Sequence, residues 1–87
     1  MDYWVETESG VFLIEDVVRQ MNADIVAELV NMRKESAMTQ QDIADATGIT
    51  RPNVARIEGG RHNTSLEVLM KYADCLGKRI EYRLVDK

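Results

Sequence analysis

The sequence predicts an all-α bundle of four to five helices with one β-strand added at its C-terminus. Three observations carry this reading. Apolar residues recur at spacings of three and four along successive stretches, the signature of helix faces. Three of those stretches open on a capping hydroxyl (Thr39, Thr50, Ser65) and close on glycine (Gly48, Gly59 and Gly60, Gly77). After Gly77 the pattern switches to alternation, in RIEYRLV.

Residues 1–12 admit two readings. Tyr3, Val5 and Thr7 alternate with Trp4, Glu6 and Glu8, which suits a short strand, and Glu8-Ser9-Gly10 suits a turn. The following VFLI is either a second strand or the entry to a helix. From Glu15 to Ser36 the spacing of Val17, Val18, Met21, Ile25, Leu29 and Met32 predicts a helix. A break is expected near Asn22, which would cap a separate helix running to Ser36. Residues 39–60, TQQDIADATGITRPNVARIEGG, hold two short helices around one glycine. Thr39 and Asp42 make a capping box, and Gly48 supplies a positive φ at the stop. Thr50 caps the second helix, and Pro52 sits in its first turn, where a missing N–H costs little. Val54 and Ile57 are its apolar stripe. Two such helices around a tight turn are a helix-turn-helix candidate. Arg61 to Thr64 form a loop. Ser65 caps a last helix with Leu66, Leu69, Tyr72, Ala73 and Leu76 on its apolar side. In residues 79–85 Ile80, Tyr82 and Leu84 alternate with Glu81, Arg83 and Val85, as in a strand. A lone strand is unstable, so it needs a partner: the segment from Tyr3 to Glu6, or the same strand of a second subunit. The second is preferred. The expected organisation is an acidic N-terminal extension (1–21), a helix-turn-helix domain (22–77) and a C-terminal pairing strand (78–87).

The chain has 87 residues, room for one domain with a modest core. No apolar run approaches the ~18 residues that span a membrane, and no secretory signal is visible, so a cytoplasmic location is expected. Cys75 is the only cysteine, which suits a reducing compartment, and its place on the last helix predicts a packed small hydrophobe. The net charge of −4 is unevenly spread. Residues 1–32 carry seven acids against Arg19 alone, whereas Thr50 to Asn63 carry three arginines and one glutamate. The two halves therefore suit different partners. One histidine, one cysteine and no convergent carboxylates leave no nucleophile–base pair, so no enzyme is expected. His62 has no Cys/His cluster around it, so neither a metal nor a cofactor is expected.

The spacing of Arg33, TQQDIA, Gly48-Ile49-Thr50, Val54, Ile57-Glu58, Gly60 and the N-x-S-L of Asn63 to Leu66 resembles the XRE family of DNA-binding regulators, the lambda-repressor-like group. The closing GKRIEYRLV resembles the strand that ends many small XRE proteins, HigA-type antitoxins among them. Residues 1–20 resemble nothing in that family. The resemblance implies double-stranded DNA as the ligand. It also implies an ion pair between Arg33 and Glu58, which would be structural. Ala37, Thr64 and Gly59 depart from residues common in the family: a glycine, a proline and a side chain that reaches DNA.

On a helical wheel Val54 and Ile57 define the buried side, and Arg51, Pro52 and Arg56 fall on or near the opposite side, at the positions the resemblance implies as base-facing. Arginine grips guanine O6 and N7 with two hydrogen bonds, and Pro52 offers an apolar contact. Asn53 lies on the flank, toward sugar or phosphate. Gln40 stands at a helix N-terminus, where free N–H groups favour an anion, and the resemblance implies a phosphate contact there. Thr50, Arg61 and Asn63 are further phosphate candidates. The function expected is sequence-specific DNA binding by a homodimeric transcription regulator. The alternative is an antitoxin that neutralises a basic toxin and regulates its own operon.

Overall fold

The computed structural model describes residues 1–87. A hairpin of β1 (Trp4–Thr7) and β2 (Gly10–Leu13) is followed by α1 (Ile14–Glu35), α2 (Gln40–Thr47), α3 (Arg51–Glu58) and α4 (Leu66–Cys75). The hairpin is antiparallel, with Trp4 opposite Leu13 and Thr7 opposite Gly10. Its two-residue turn is held by Thr7, whose Oγ1 accepts from Ser9 N–H at 3.2 Å and donates to the Gly10 carbonyl at 3.0 Å. VFLI thus does both things asked of it. Val11 to Leu13 finish β2, and Ile14 starts α1 while its N–H donates to the Tyr3 carbonyl at 2.9 Å.

Helix α1 is 22 residues long and unbroken at Asn22, contrary to the expected cap. Asn22 has another task. Its amide donates to the Thr64 carbonyl at 2.8 Å and accepts from Thr64 N–H at 3.0 Å. These two bonds pin the loop between α3 and α4 to the middle of α1.

The core lies among the second half of α1 and the three short helices. Val26 and Leu29 meet Ile43 and Ala44 of α2, Val54 of α3, and Leu69, Tyr72 and Ala73 of α4. Those of α2, α3 and α4 come from the faces their spacing predicts, but in α1 only Leu29 of the predicted stripe is buried; Val26, outside that stripe, is the other core residue, and α1 buries nothing before it. Val18 and Met21 share the apolar stripe yet are exposed, because α1 extends past its neighbours and carries the hairpin with it. The molecule is accordingly elongated, 40 × 24 × 19 Å.

The expected strand at 79–85 does not form in the single chain. Residues 78–87 have no regular structure, and only Ile80 packs against the core. A strand needs a ladder, and the only ladder in the chain joins β1 to β2; the tail pairs with neither.

Between α1 and α2 the chain turns through Ala37 at φ +56°. This is the left-handed position that usually holds glycine after a helix, and a Cβ is strained there. Ala37→Gly is therefore expected to raise stability by about 0.5–1 kcal/mol, after the greater freedom of unfolded glycine offsets part of the gain. Urea titration measures it. A loss of stability would show that the Ala37 methyl contributes packing that outweighs the strain.

Candidate nucleic-acid interface

The start of α2 is fixed by reciprocal hydrogen bonds. Thr39 Oγ1 accepts from Asp42 N–H at 3.0 Å, and Asp42 Oδ2 accepts from Thr39 N–H at 2.7 Å. The N–H groups of Gln40 and Gln41 find no acceptor in the protein, so they point outward from a helix N-terminus. Helix α2 ends at Gly48, φ +78° and ψ 3°. Thr47 tightens the corner: its Oγ1 donates to the Ile43 carbonyl at 2.7 Å and accepts from Ile49 N–H at 3.2 Å. A Cβ on Gly48 would meet nothing within 4 Å, so the backbone angle alone demands glycine. Two residues later Thr50 caps α3, its Oγ1 accepting from Asn53 N–H at 3.4 Å.

Helix α3 is oriented by Val54, fully buried, and by Ile57, half-buried. Its opposite side is left to solvent: Arg51, Pro52, Asn53, Ala55 and Arg56 are all exposed. Arg61 and Asn63 follow on the exposed loop, with His62 between them. None of Arg51, Arg56 and Arg61 has a carboxylate within 4.0 Å. Thr50, Asn53, Arg56, His62 and Asn63 line one shallow groove. Gln40, Arg51, Pro52 and Arg61 lie outside it.

The one acid of α3 is withdrawn from this face. Glu58 accepts from Arg33 Nε and Nη2, both at 2.8 Å, in a two-pronged pair with side chains only 8% and 11% exposed. Tyr72 Oη donates to Glu58 at 2.6 Å and Gln40 Nε2 at 3.1 Å. Arg33 Nη1 also donates to the Met38 carbonyl at 2.9 Å. One carboxylate thereby ties α1, the start of α2, the end of α3, and α4 together. Burial alone would raise the pKa of Glu58, but the hydrogen bonds from Arg33, Tyr72 and Gln40 outweigh it and hold the carboxyl below its usual value. The hydrogen bond to Glu58 outweighs burial at Arg33 and raises its pKa. Burial, then the bond to Glu58, pushes the Tyr72 phenol upward.

Two members of this cluster were not visible as such in the sequence. Tyr72 reads as one more apolar residue of α4. Its hydroxyl is the overlooked signal, since a tyrosine on a buried face needs a polar partner. Gln40 reads as exposed and phosphate-facing, whereas its amide is spent on Glu58. What it presents outward is its backbone N–H. No group of three metal-ligating side chains occurs, and no helix is long and apolar enough to cross a membrane.

Two short helices at a glycine corner, the second with an exposed basic face, define a helix-turn-helix protein. Residues 29–83 match the model of the helix-turn-helix family. An uncharacterised helix-turn-helix transcriptional regulator of Haemophilus influenzae is 33% identical over 79 residues, covering 88% of this chain and 80% of that protein. Another, from Methanothermobacter thermautotrophicus, is 37% identical over 46 residues, 53% of this chain and 67% of that protein. Among solved structures, a chain of a toxin–antitoxin module from Streptococcus pneumoniae superposes with a TM-score of 0.67 at 26% identity, covering 86% of this chain and 84% of that one. This chain belongs to the XRE-type helix-turn-helix family of DNA-binding transcriptional regulators.

Proposed function

We propose that the protein is a sequence-specific DNA-binding regulator that acts as a dimer, with α3 in the major groove and the N-terminus of α2 against the phosphate backbone. The observation that carries this reading is the sorting of charge around α3. Three arginines stand exposed without acidic partners, while Glu58 is drawn inward by Arg33. Arg51 and Arg56 would read base edges, with Pro52 as an apolar contact. Thr50, Asn53, Arg61, Asn63 and the free N–H groups at Gln40 would hold phosphates. A two-fold protein matches a palindromic site, which is why a dimer is proposed.

Affinity for DNA should fall steeply as salt rises, since each phosphate neutralised releases about one counterion. Anisotropy titrations of labelled duplex from low to physiological salt measure the slope. A flat response would remove DNA as the ligand.

A second reading can coexist with the first. The S. pneumoniae neighbour belongs to a toxin–antitoxin module, and this chain carries seven acids in residues 1–32 with Trp4 and Phe12 exposed among them. Apolar anchors within an acidic surface suit a basic partner, so an antitoxin that binds a toxin and regulates its own operon is proposed as the alternative. It requires a small basic protein that co-purifies from the source organism, and purification without one would exclude it.

A further inference from the structure

We infer that the C-terminal tails of two copies of this chain join in one antiparallel ribbon whose two-fold axis passes through Tyr82. The inference rests on the dimer proposed above and adds its contact and its register.

The tail leaves α4 at Gly77 and touches the core only through Ile80. Beyond that point Tyr82 and Leu84 are each 90% exposed and Val85 70%. In an extended chain Ile80, Tyr82 and Leu84 share one side, and Arg79, Glu81, Arg83 and Val85 the other. Such a segment presents unpaired backbone on both edges and calls for a partner. The occupant is a second copy because the segment is complementary to itself.

Two-fold antiparallel pairing keeps every side chain on its own face, so the axis must pass through a residue rather than between two. Five centres can be compared. With the axis at Tyr82, Glu81 faces Arg83 twice, Ile80 faces Leu84 twice, and the two tyrosines face each other. Every residue from 79 to 85 is then paired: opposite charges and apolar side chains match across the strands from 80 to 84, and at each end Arg79 lays its aliphatic stem against Val85. With the axis at Glu81, Glu81 faces Glu81 and Arg79 faces Arg83. At Arg83, Arg83 faces itself and Ile80 faces Asp86. At Ile80, the ladder must take in Gly77 and Lys78, and Leu84 and Val85 are left unpaired. At Leu84, Tyr82 faces Asp86, an apolar–acid pair. Only the Tyr82 register avoids like charges, apolar–acid pairs and lost ends together.

A two-stranded ribbon is marginal without a surface beneath it. That surface is present at the root of the tail. Ile80 already lies on the core, so the side of the ribbon it shares with Tyr82 and Leu84 continues the core outward. Leu66 and Met70 of α4, 59% and 48% exposed, line the groove beside Ile80.

Cysteine cross-linking of the full chain tests the register, in a Cys75→Ser background that removes the one native thiol. Tyr82→Cys should oxidise rapidly to a disulfide-linked dimer under copper–phenanthroline. Glu81→Cys or Arg83→Cys alone should do so at least about tenfold more slowly, because each residue would stand roughly 8 Å from its own copy. An equal mixture of the Glu81→Cys and Arg83→Cys chains should cross-link rapidly. Independently of any cysteine, Glu81→Arg should weaken dimerisation about tenfold in sedimentation, and adding Arg83→Glu should restore it. A sedimenting dimer that cross-links fastest through position 81 or 83 alone, or that ignores the charge exchange, would overturn the register and leave the dimer standing. A wild-type chain that stays monomeric both free and on DNA would overturn the dimer itself.

Discussion

Arg33→Met should destabilise the protein by about 3–5 kcal/mol, the cost typical of removing one partner of a buried ion pair. A domain of ordinary stability has about 5–15 kcal/mol in all, so the variant should be partly unfolded at moderate temperature. The reason is the position of Glu58. Its side chain is 8% exposed, and without Arg33 its charge would rest on Tyr72 and Gln40 alone. Chemical denaturation followed by circular dichroism measures the loss. Glu58→Gln probes the same site through pH. A carboxyl held below its usual pKa lends stability that is present above the unfolded value of about 4.3 and is lost as pH falls through the folded value. Glu58→Gln should thus be less stable than wild type at neutral pH, and the gap should close below about pH 4. Parallel stability curves down to strongly acidic pH would show that the Glu58 charge contributes nothing to folding.

Arg56→Ala should weaken binding to the preferred duplex by about 1–3 kcal/mol and relax the preference at one base position, and Arg51→Ala should do the same at another. Neither side chain has a carboxylate partner within the protein, and both residues are exposed. Stability should therefore change by less than about 0.5 kcal/mol, which separates recognition from folding. The comparison that decides the role is specific against random DNA. Equal losses on both would mean that the arginine contacts phosphate and reads no base.

How far the sequence could be read depended on how local each signal was. The capping box of Thr39 and Asp42, the left-handed turn at Gly48, and the caps at Thr50 and Ser65 are set within a few residues, and each was legible, whereas Ala37 stood out only against the glycine common in the family. The buried side of α3 followed from two residues, Val54 and Ile57, three apart. Asn22 shows the opposite case. A short polar residue inside a helical pattern looks like a cap, but its partner is Thr64, 42 residues away, and no local pattern announces that bond. Periodicity placed Val18 and Met21 on the same stripe as Leu29, yet it carries no information on how far the neighbouring helices reach along α1. The pair of Arg33 and Glu58 came from family resemblance rather than from spacing, and the hydroxyl of Tyr72 completed it only in three dimensions. Alternation in residues 79–85 marked an extended segment but not a partner, and the single chain supplies none.

The most direct measurement is selection of bound duplexes from a random pool, read by sequencing, with the wild-type chain and with Arg56→Ala. The wild type should enrich an inverted repeat whose half-sites lie about one helical turn apart, with a strongly preferred base pair in each half-site that Arg56→Ala no longer selects. A folded wild-type chain that returns the pool without enrichment would contradict sequence-specific recognition through α3.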